Sequence, residues 1–466
     1  MNITGKKILV VGIARSGVAA ARLLAARGAV VTANDYKAES DLVKPDSPLA
    51  MEITALERLG VRVVFGGHPE DLFVNADLIV LSPGVPADLV PLQRANQAGV
   101  EIISEPELAG RFLRGRMIGV TGSNGKTTTT TLIGELMKAA GAQVIVGGNI
   151  GAALTGLVEQ STDDTWTVAE LSSFQLETID SLRVQVAVMT NITPDHLDRH
   201  GTFENYVQAK HRIFKNQLAA DFAVLNLDNA PVVEMVNRLG IPSQKVFFST
   251  KADSSTAQIF LRDGRIYSTL LTDDRSATEV MRAGEIQVPG MHNIENIMAA
   301  FAAVFCAMQT KPEQLEALRQ VIRNFRGVEH RIEFVAEIGG VKFYNDSKAT
   351  NVDSTVKSLE AFERNVIVIL GGKDKGSDYT VLAPLIRERV KQIILIGAAS
   401  EKIAAQLADT RPMTCAVSMT DAVQKSMQAA NAGDIVLLAP ACASFDMFDN
   451  YEHRGQVFKA AVHALK

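Results

Sequence analysis

Cysteine is scarce in this chain: Cys306, Cys415 and Cys442 are the only three in 466 residues. They are odd in number and far apart, so neither a disulfide framework nor a zinc-ligand spacing can be drawn from them, which fits a reducing cytoplasm. Aromatic residues supply only 6%, with one tryptophan, and the formal net charge is -5. A chain with no basic excess carries no global field for nucleic acid or an acidic membrane, so no nucleic-acid partner is expected and anionic ligands must be held by local devices. No run of about 18 apolar residues is found, and membrane insertion is not expected. Lys6-Lys7 followed by Ile8-Leu-Val-Val-Gly-Ile13 superficially copies a secretion signal, but Arg15 interrupts it and the stretch reads as a strand. Short-period repeats, coiled-coil heptads and low-complexity tracts are also missing.

What is there is the usage of an α/β enzyme: 47% hydrophobic, 21% charged and 34 glycines. At roughly 100 to 200 residues per domain the length predicts about three domains. Residues 7–11 read as a strand, 16–27 as an Ala-rich helix stopped by Gly28, and 30–34 as a second strand closed by Asp35. Short β-branched runs at 61–65 and 77–81 continue the pattern, the second ending at Ser82-Pro-Gly84. This predicts a small Rossmann-like, doubly wound domain over residues 1–104. A strand at 116–120, a glycine loop and a helix to about residue 140 open a central, P-loop ATPase-like domain with a parallel sheet over 105–327. Its further strands fall at 167–171, 187–190 and 223–226, with a β-rich excursion between 246 and 288. Strands at 366–370, 392–396 and 435–439, separated by helical stretches, predict a C-terminal Rossmann-like domain over 328–466.

The chemistry is clearest at Thr121-Gly-Ser-Asn-Gly-Lys-Thr-Thr128. Gly122 and Gly125 leave backbone N–H groups unobstructed in front of a helix that starts near Lys126, the geometry a phosphate requires. Lys126 reaches the outer phosphates, and the Thr127 hydroxyl suits a magnesium ion already bound to them. The strict spacing G-x-x-x-x-G-K-[ST] is not met, because Val120 stands five before Gly125, so the loop is a compact variant. The expected ligand is ATP with magnesium, held by Gly122, Ser123, Asn124, Gly125, Lys126, Thr127 and Thr128.

This loop, with Gly147-Gly-Asn-Ile-Gly151, Glu170-Leu-Ser-Ser-Phe-Gln175, Asn191-Ile-Thr-Pro-Asp-His196 and Pro289-Gly-Met-His-Asn293, resembles the Mur ligases, bacterial ATP-dependent amino-acid ligases. The similarity runs along essentially the whole chain in the same order. Within that family, Asn345-Asp-Ser-Lys-Ala-Thr-Asn351 and Pro440-Ala-Cys-Ala-Ser-Phe-Asp-Met-Phe448 are similar to the members that add D-glutamate to UDP-N-acetylmuramoyl-L-alanine. The resemblance implies that activity, those substrates, and a monomer with two magnesium ions. Another ligase of the superfamily, including the folylpolyglutamate type, is the alternative; an NAD oxidoreductase or a non-enzymatic nucleotide switch would belong to other classes.

The resemblance also implies residue roles. Glu170 joins Thr127 around one magnesium, although an acidic strand end is by itself a solvated edge. His196 and Lys210 hold a second, Lys210 as an anionic carbamate formed by carbon dioxide on its neutral amine; a lone helical lysine otherwise faces solvent. The spacing of His196 and His200 invites zinc, but no third ligand completes such a site. Gln175 is matched to a substrate-binding glutamine, with a turn amide as the plain alternative, and Asn149 is placed beside it. Asn293 reads as an N-cap for a helix over 294–308, and Asn296 is placed near the nucleotide. Arg331 is matched to phosphate and Asp346 to ribose, either being otherwise a surface charge. Lys348, Thr350, Ser444, Phe445 and Tyr451 form the D-glutamate pocket, the family often having Phe where Tyr451 stands. Lys126, His196, Lys210 and Lys348 are the catalytic candidates.

In the N-terminal domain Gly12-Ile-Ala-Arg-Ser-Gly17 keeps the outer glycines of a dinucleotide fingerprint but has Ala14 in the middle, which argues against NAD. The resemblance instead assigns Arg15 and Ser16 to the diphosphate and Asp35, Lys37 and Ser82-Pro83-Gly84 to the uridine of the UDP substrate. Gly371-Gly-Lys-Asp-Lys-Gly376 copies a phosphate cradle without its Lys-Thr ending and reads as a βα turn.

Overall fold

Ile8-Leu-Val-Val11 and Leu78-Ile-Val-Leu81 are apolar at every position, as strands covered on both faces must be, and they lie side by side at the centre of the first sheet. The computed structural model of the chain describes residues 1–43, 47–86, 88–251, 253 and 255–465. The first sheet contains β1 (Lys7–Val11), β2 (Val30–Asn34), β3 (Arg62–Val64), β4 (Leu78–Leu81) and β5 (Glu101–Ser104). They run in the order β3-β2-β1-β4-β5, all parallel. The order reverses between β1 and β4, and the ends of those two strands carry the Gly12 turn and the Ser82 turn, where open α/β sheets hold their ligands.

The second sheet has β6 (Arg116–Thr121), β7 (Gln143–Gly148), β8 (Thr165–Glu170), β9 (Val186–Met189), β10 (Phe222–Asn226), β11 (Gln244–Ser249), β12 (Ile259–Arg262), β13 (Arg265–Ser268) and β14 (Thr278–Arg282). Their order is β14-β13-β12-β11-β10-β9-β6-β8-β7. Pairing is parallel from β7 to β12 and antiparallel through β13 and β14, which is the β-rich excursion read from the sequence. The third sheet has β15 (Glu333–Ile338), β16 (Val341–Asn345), β17 (Val366–Leu370), β18 (Val390–Ile396), β19 (Met413–Ala416) and β20 (Ile435–Leu438), in the order β15-β16-β20-β17-β18-β19. Only β15 and β16 are antiparallel. The α/β class expected from the sequence is the class observed. The sequence reading has no strand at β5, β7, β15, β16 or β19.

The chain forms two compact units. Met1–Ala283 with Glu295–Val321 carries the first two sheets, and Gly284–Ile294 with Ile322–Lys466 carries the third. Within the first unit, the short helix Glu105–Gly110 joins the two sheets through two carboxylates. Glu105 accepts from Thr155 N (2.6 Å) and Thr155 Oγ1 (2.7 Å). Glu107, completely buried, accepts from the backbone N–H groups of Asp180, Ser181 and Leu182, from Ser181 Oγ and from Arg111 Nε. Burial alone would raise the Glu107 pKa; the donors, led by the Ser181 hydroxyl and the Asp180 N–H, outweigh it and hold it at about 2.

Two expectations need correction. The helix Met291–Met308 interrupts its apolar residues with His292, Asn293, Glu295 and Asn296, yet at 18 residues it is long and apolar enough, by length and composition only, to cross a membrane. It is 67% buried, with Ile297, Phe301 and Val304 fully inside, because it is a core helix of this fold. It also begins at Met291, so Asn293 is inside the first turn and is no N-cap. Asn293 Nδ2 donates back to Pro289 O at 2.6 Å instead.

Candidate active site

Strand β6, between β9 and β8 in the second sheet, enters the glycine loop, and the helix Lys126–Ala139 leaves it. Two positions require glycine. Gly122 has φ +148 and Thr190 Oγ1 occupies the place a Cβ would take; Gly125, the N-cap at φ +82, has Asn296 Oδ1 there. Asn296 Oδ1 also accepts from Thr129 Oγ1 at 3.3 Å, which puts this candidate residue against the loop. The end of β9 braces the other side. Ser123 N donates to Asn191 O (2.9 Å), Asn124 N to Asn191 Oδ1 (2.9 Å), and Thr190 Oγ1 to Asn124 O (2.6 Å). Those two amides therefore serve the loop's own shape. The first-turn N–H groups from Lys126 to Thr128 have no intrahelical carbonyl to meet and form the anion-facing end of the helix.

Lys126 Nζ donates to Gly122 O (2.9 Å) and Ser123 O (2.8 Å), and Lys210 Nζ donates to the same Gly122 O at 2.7 Å. Lys210, on the helix Phe203–His211, is 1% exposed and lies 4.6 Å from the centre of the Tyr206 ring. Burial, then the nearby Lys126 charge, drives its pKa well below the usual lysine value. Its amine is a candidate nucleophile, not a surface charge. Tyr206 in turn shares a 2.9 Å hydrogen bond with Ser123 Oγ.

Glu170 ends β8 in register with Val120 of β6, so its carboxylate stands beside the start of the loop. Oε1 accepts from Asn149 Nδ2 at 2.8 Å, while Oε2 is buried without a protein partner. Thr127 Oγ1 is likewise buried without one. A hard cation needs oxygen donors of this kind, and unpaired buried oxygens at both positions fit magnesium. Among the described residues no group of three His, Cys, Asp or Glu side chains is gathered for a metal, so phosphate oxygens would have to complete its shell.

His196 is an exposed N-cap in the left-handed region (φ 52), opening the helix Leu197–His200. Its ring and that of His200 lie on Phe174, His196 edge-on at 5.0 Å and His200 stacked at 5.3 Å, and His200 Nε2 pairs with Ser173 Oγ at 2.9 Å. Gln175 is buried, and its Oε1 accepts from Ser172 N as half of a capping box, so the turn-amide role is realised at that oxygen. Arg199, which the sequence reading passes over, donates to Pro83 O (2.9 Å) and Val85 O (3.0 Å).

In the first sheet, Asp35 Oδ2 accepts from Ile13 N (2.8 Å) and Oδ1 from Lys37 N (3.0 Å), and Ser82 Oγ donates to Gly12 O (2.8 Å). A Cβ at Gly17 would strike Gly12 O, so this turn packs as tightly as a dinucleotide turn despite Ala14. Arg15, Lys37 and Gly84 are exposed at the same strand ends, with Ser16 and Pro83 partly so. These candidates are brought together.

The second unit gathers the others. Asp346 follows β16 and is buried; burial raises its pKa to about 6 against the pull of the Ser358 hydroxyl and the Arg331 charge. Arg331 Nε is buried without a partner. Lys348 Nζ lies 5.4 Å from the Tyr451 ring centre, Ser444 is buried, Thr350 half-buried, and Phe445 is 68% exposed. The Gly371–Gly376 turn joins this cluster through paired Lys373 and Ala443 backbones at 2.8 and 3.2 Å. Fully buried Arg454 donates to Ser347 Oγ, Ser347 O and Cys442 O, tying the 346–350 and 440–445 loops together. No local sequence signal marks it, since its partners are remote in the chain.

The chain matches three family models: "Mur ligase MurD-like, N-terminal domain" over residues 6–104, "Mur ligase middle domain" over 120–304, and "Mur ligase, glutamate ligase domain" over 330–442. It is 47% identical over 465 residues to the UDP-N-acetylmuramoylalanine–D-glutamate ligase of Koribacter versatilis, covering 100% of this chain and 99% of that one. With the protein of that name from Acidobacterium capsulatum the identity is 48%, over 100% and 97%. Among solved structures, the UDP-N-acetylmuramate-alanine ligase MurC of Thermotoga maritima aligns with a TM-score of 0.59 at 19% identity, over 99% of this chain and 100% of that one. The pseudomurein peptide ligase type C of Methanothermus fervidus gives the same values. These two likenesses speak to the fold.

Proposed function

The chain belongs to the Mur ligase family, and from that premise we propose that it joins D-glutamate to the alanyl carboxylate of UDP-N-acetylmuramoyl-L-alanine, with ATP as phosphoryl donor, as a step in peptidoglycan precursor synthesis. Full-length identity of 47% to a relative named for this reaction carries the reading. The lysine and glycine geometry of the 122–127 loop supports it.

In the proposed reaction an alanyl carboxylate oxygen attacks the γ-phosphorus of ATP, and the bond to the ADP oxygen breaks. The product is an acyl phosphate. The D-glutamate amine then attacks the acyl carbon, phosphate leaves with the former carboxylate oxygen, and the amine gives up a proton. The reaction brings anionic partners together, and Lys126, Arg331 and Lys348 are the cations assigned to offset that charge. Asn296 and Asp346 are assigned to the nucleotide; Lys348, Thr350, Ser444, Phe445 and Tyr451 to D-glutamate. Arg15, Ser16, Asp35, Lys37, Ser82, Pro83, Gly84, Asn149 and Gln175 are assigned to the UDP substrate. Magnesium bound by Thr127 and Glu170 would neutralise phosphate charge, and a second ion is assigned to His196 and carbamylated Lys210. A monomer in the cytoplasm, with domains at 1–104, 105–327 and 328–466, completes the reading.

Substrate labelled with ¹⁸O in the alanyl carboxylate tests the order of steps. One label is expected in the released phosphate. Unlabelled phosphate formed alongside ligated product would rule out the acyl phosphate.

A further inference from the structure

Arg199 spends its guanidinium on two neighbouring carbonyls of a different sheet. Nη1 donates to Pro83 O at 2.9 Å and Nη2 to Val85 O at 3.0 Å, both in the turn that leaves β4. The same group lies 4.0 Å over the Phe174 ring and reaches Glu177 Oε2 at 3.3 Å. A planar fork with several donors and a stackable face can do all of this at once, and a lysine ammonium cannot. Phe174 is the ring that His196 meets edge-on and His200 stacks upon, and Glu177 Oε1 also lies 3.3 Å from His200 Nδ1. His196 is the N-cap of the four-residue helix on which Arg199 sits. One side chain therefore links the Ser82-Pro83-Gly84 turn to Phe174, the ring that the exposed His196 meets edge-on.

We propose that Arg199 is a positioning residue that couples occupation of the Ser82–Gly84 turn by the nucleotide end of the substrate to the placement of His196 and Phe174 at its reacting end. The assignment rests on the function proposed above. Ser82 Oγ fastens that turn to Gly12 O, so a diphosphate settling between the Gly12 and Ser82 turns fixes the carbonyls that Arg199 grips. The grip then fixes the ring pair. In this arrangement binding energy from the remote uridine part of the substrate is realised at the reacting carboxylate, and a substrate without that part loses turnover as well as affinity.

The test compares the unaltered chain with Arg199→Lys and Arg199→Ala on two substrates: UDP-N-acetylmuramoyl-L-alanine, and the same molecule cut to a 1-phosphate that lacks the uridylyl group. Thermal unfolding confirms that the variants fold, Arg199→Lys serving if Arg199→Ala does not. For the whole substrate kcat/KM is expected to fall about 10²-fold, the usual result of small misplacement, while the cut substrate loses little further in the variants. KM for ATP and for D-glutamate should not change, and Lys should not rescue. An equal loss on both substrates, or full rescue by Lys, would reduce Arg199 to a strut and overturn the assignment. Absence of turnover by the unaltered chain on the whole substrate would remove the assignment together with the reading it rests on.

Discussion

Lys126 and Lys210 donate to one atom, the carbonyl oxygen of Gly122, from 2.9 and 2.7 Å. Burial, and then the neighbouring Lys126 charge, push the Lys210 pKa well below the usual lysine value, which favours its neutral amine. An uncharged amine adds carbon dioxide, forming an N–C bond and releasing a proton, and becomes an oxygen donor. Bicarbonate labelled with ¹³C is expected to give a protein-bound carbamate signal in NMR spectra that Lys210→Arg abolishes. Lys210→Ala should lose about 10²-fold or more in turnover. Full turnover in Lys210→Ala, with no carbamate signal in the parent, contradicts this.

Lys126 itself is held by Gly122 O and Ser123 O, an ammonium parked at the mouth of an anion-binding helix end. Lys126→Ala is expected to reduce kcat/KM about 10²- to 10³-fold with the fold intact. Gly125→Ala should abolish nucleotide binding through its positive φ and its collision with Asn296 Oδ1. Isothermal titration with ATP reads the second effect directly, and near-parental affinity would contradict it.

Asp346 titrates at about 6, in a place where a carboxylate is assigned to the ribose. Its charged form fills in as pH rises through 6, so KM for ATP should fall by up to about tenfold in all between pH 5 and 7, and Asp346→Asn should flatten that profile. Stability runs the other way. The folded state keeps a proton that the unfolded chain releases, so this group's stabilisation is complete below the ordinary Asp value and fades as pH rises through 6.

Glu107 has the opposite sign. Its pKa is depressed from 4.5 to about 2, so it contributes about 3 kcal/mol that is present above 4.5 and lost as pH falls through 2. Glu107→Gln should lower the urea midpoint at pH 7, and the two chains should converge as pH approaches 2. A variant equal to its parent at pH 7 would show that the five donors stabilise nothing.

The glycine loop is legible in sequence because its residues are contiguous and lie between an apolar strand and a helix. The strands at 366–370 and 435–439 are legible for the same reason, being continuous apolar runs. Val341-Lys-Phe-Tyr-Asn345 is not: Gly339-Gly340 precedes it, Asn345 ends it, and its partner β20 lies far along the chain. Met413-Thr-Cys-Ala416 offers a single β-branched residue, Thr414, which is too little to mark a strand. Asn293 carries a capping residue's chemistry, but the turn at Gly290 starts the helix earlier. The contacts of Asn296 with Gly125, Arg199 with Pro83, and Arg454 with Ser347 depend on tertiary approach, which no local pattern encodes.

The most direct measurement is phosphate release with ATP, magnesium and UDP-N-acetylmuramoyl-L-alanine, with D-glutamate compared against L-glutamate and other amino acids. Release coupled to amide formation with D-glutamate, and absent with the rest, is the expected result. Equal release with L-glutamate, or ligation of a different amino acid in its place, would contradict the account.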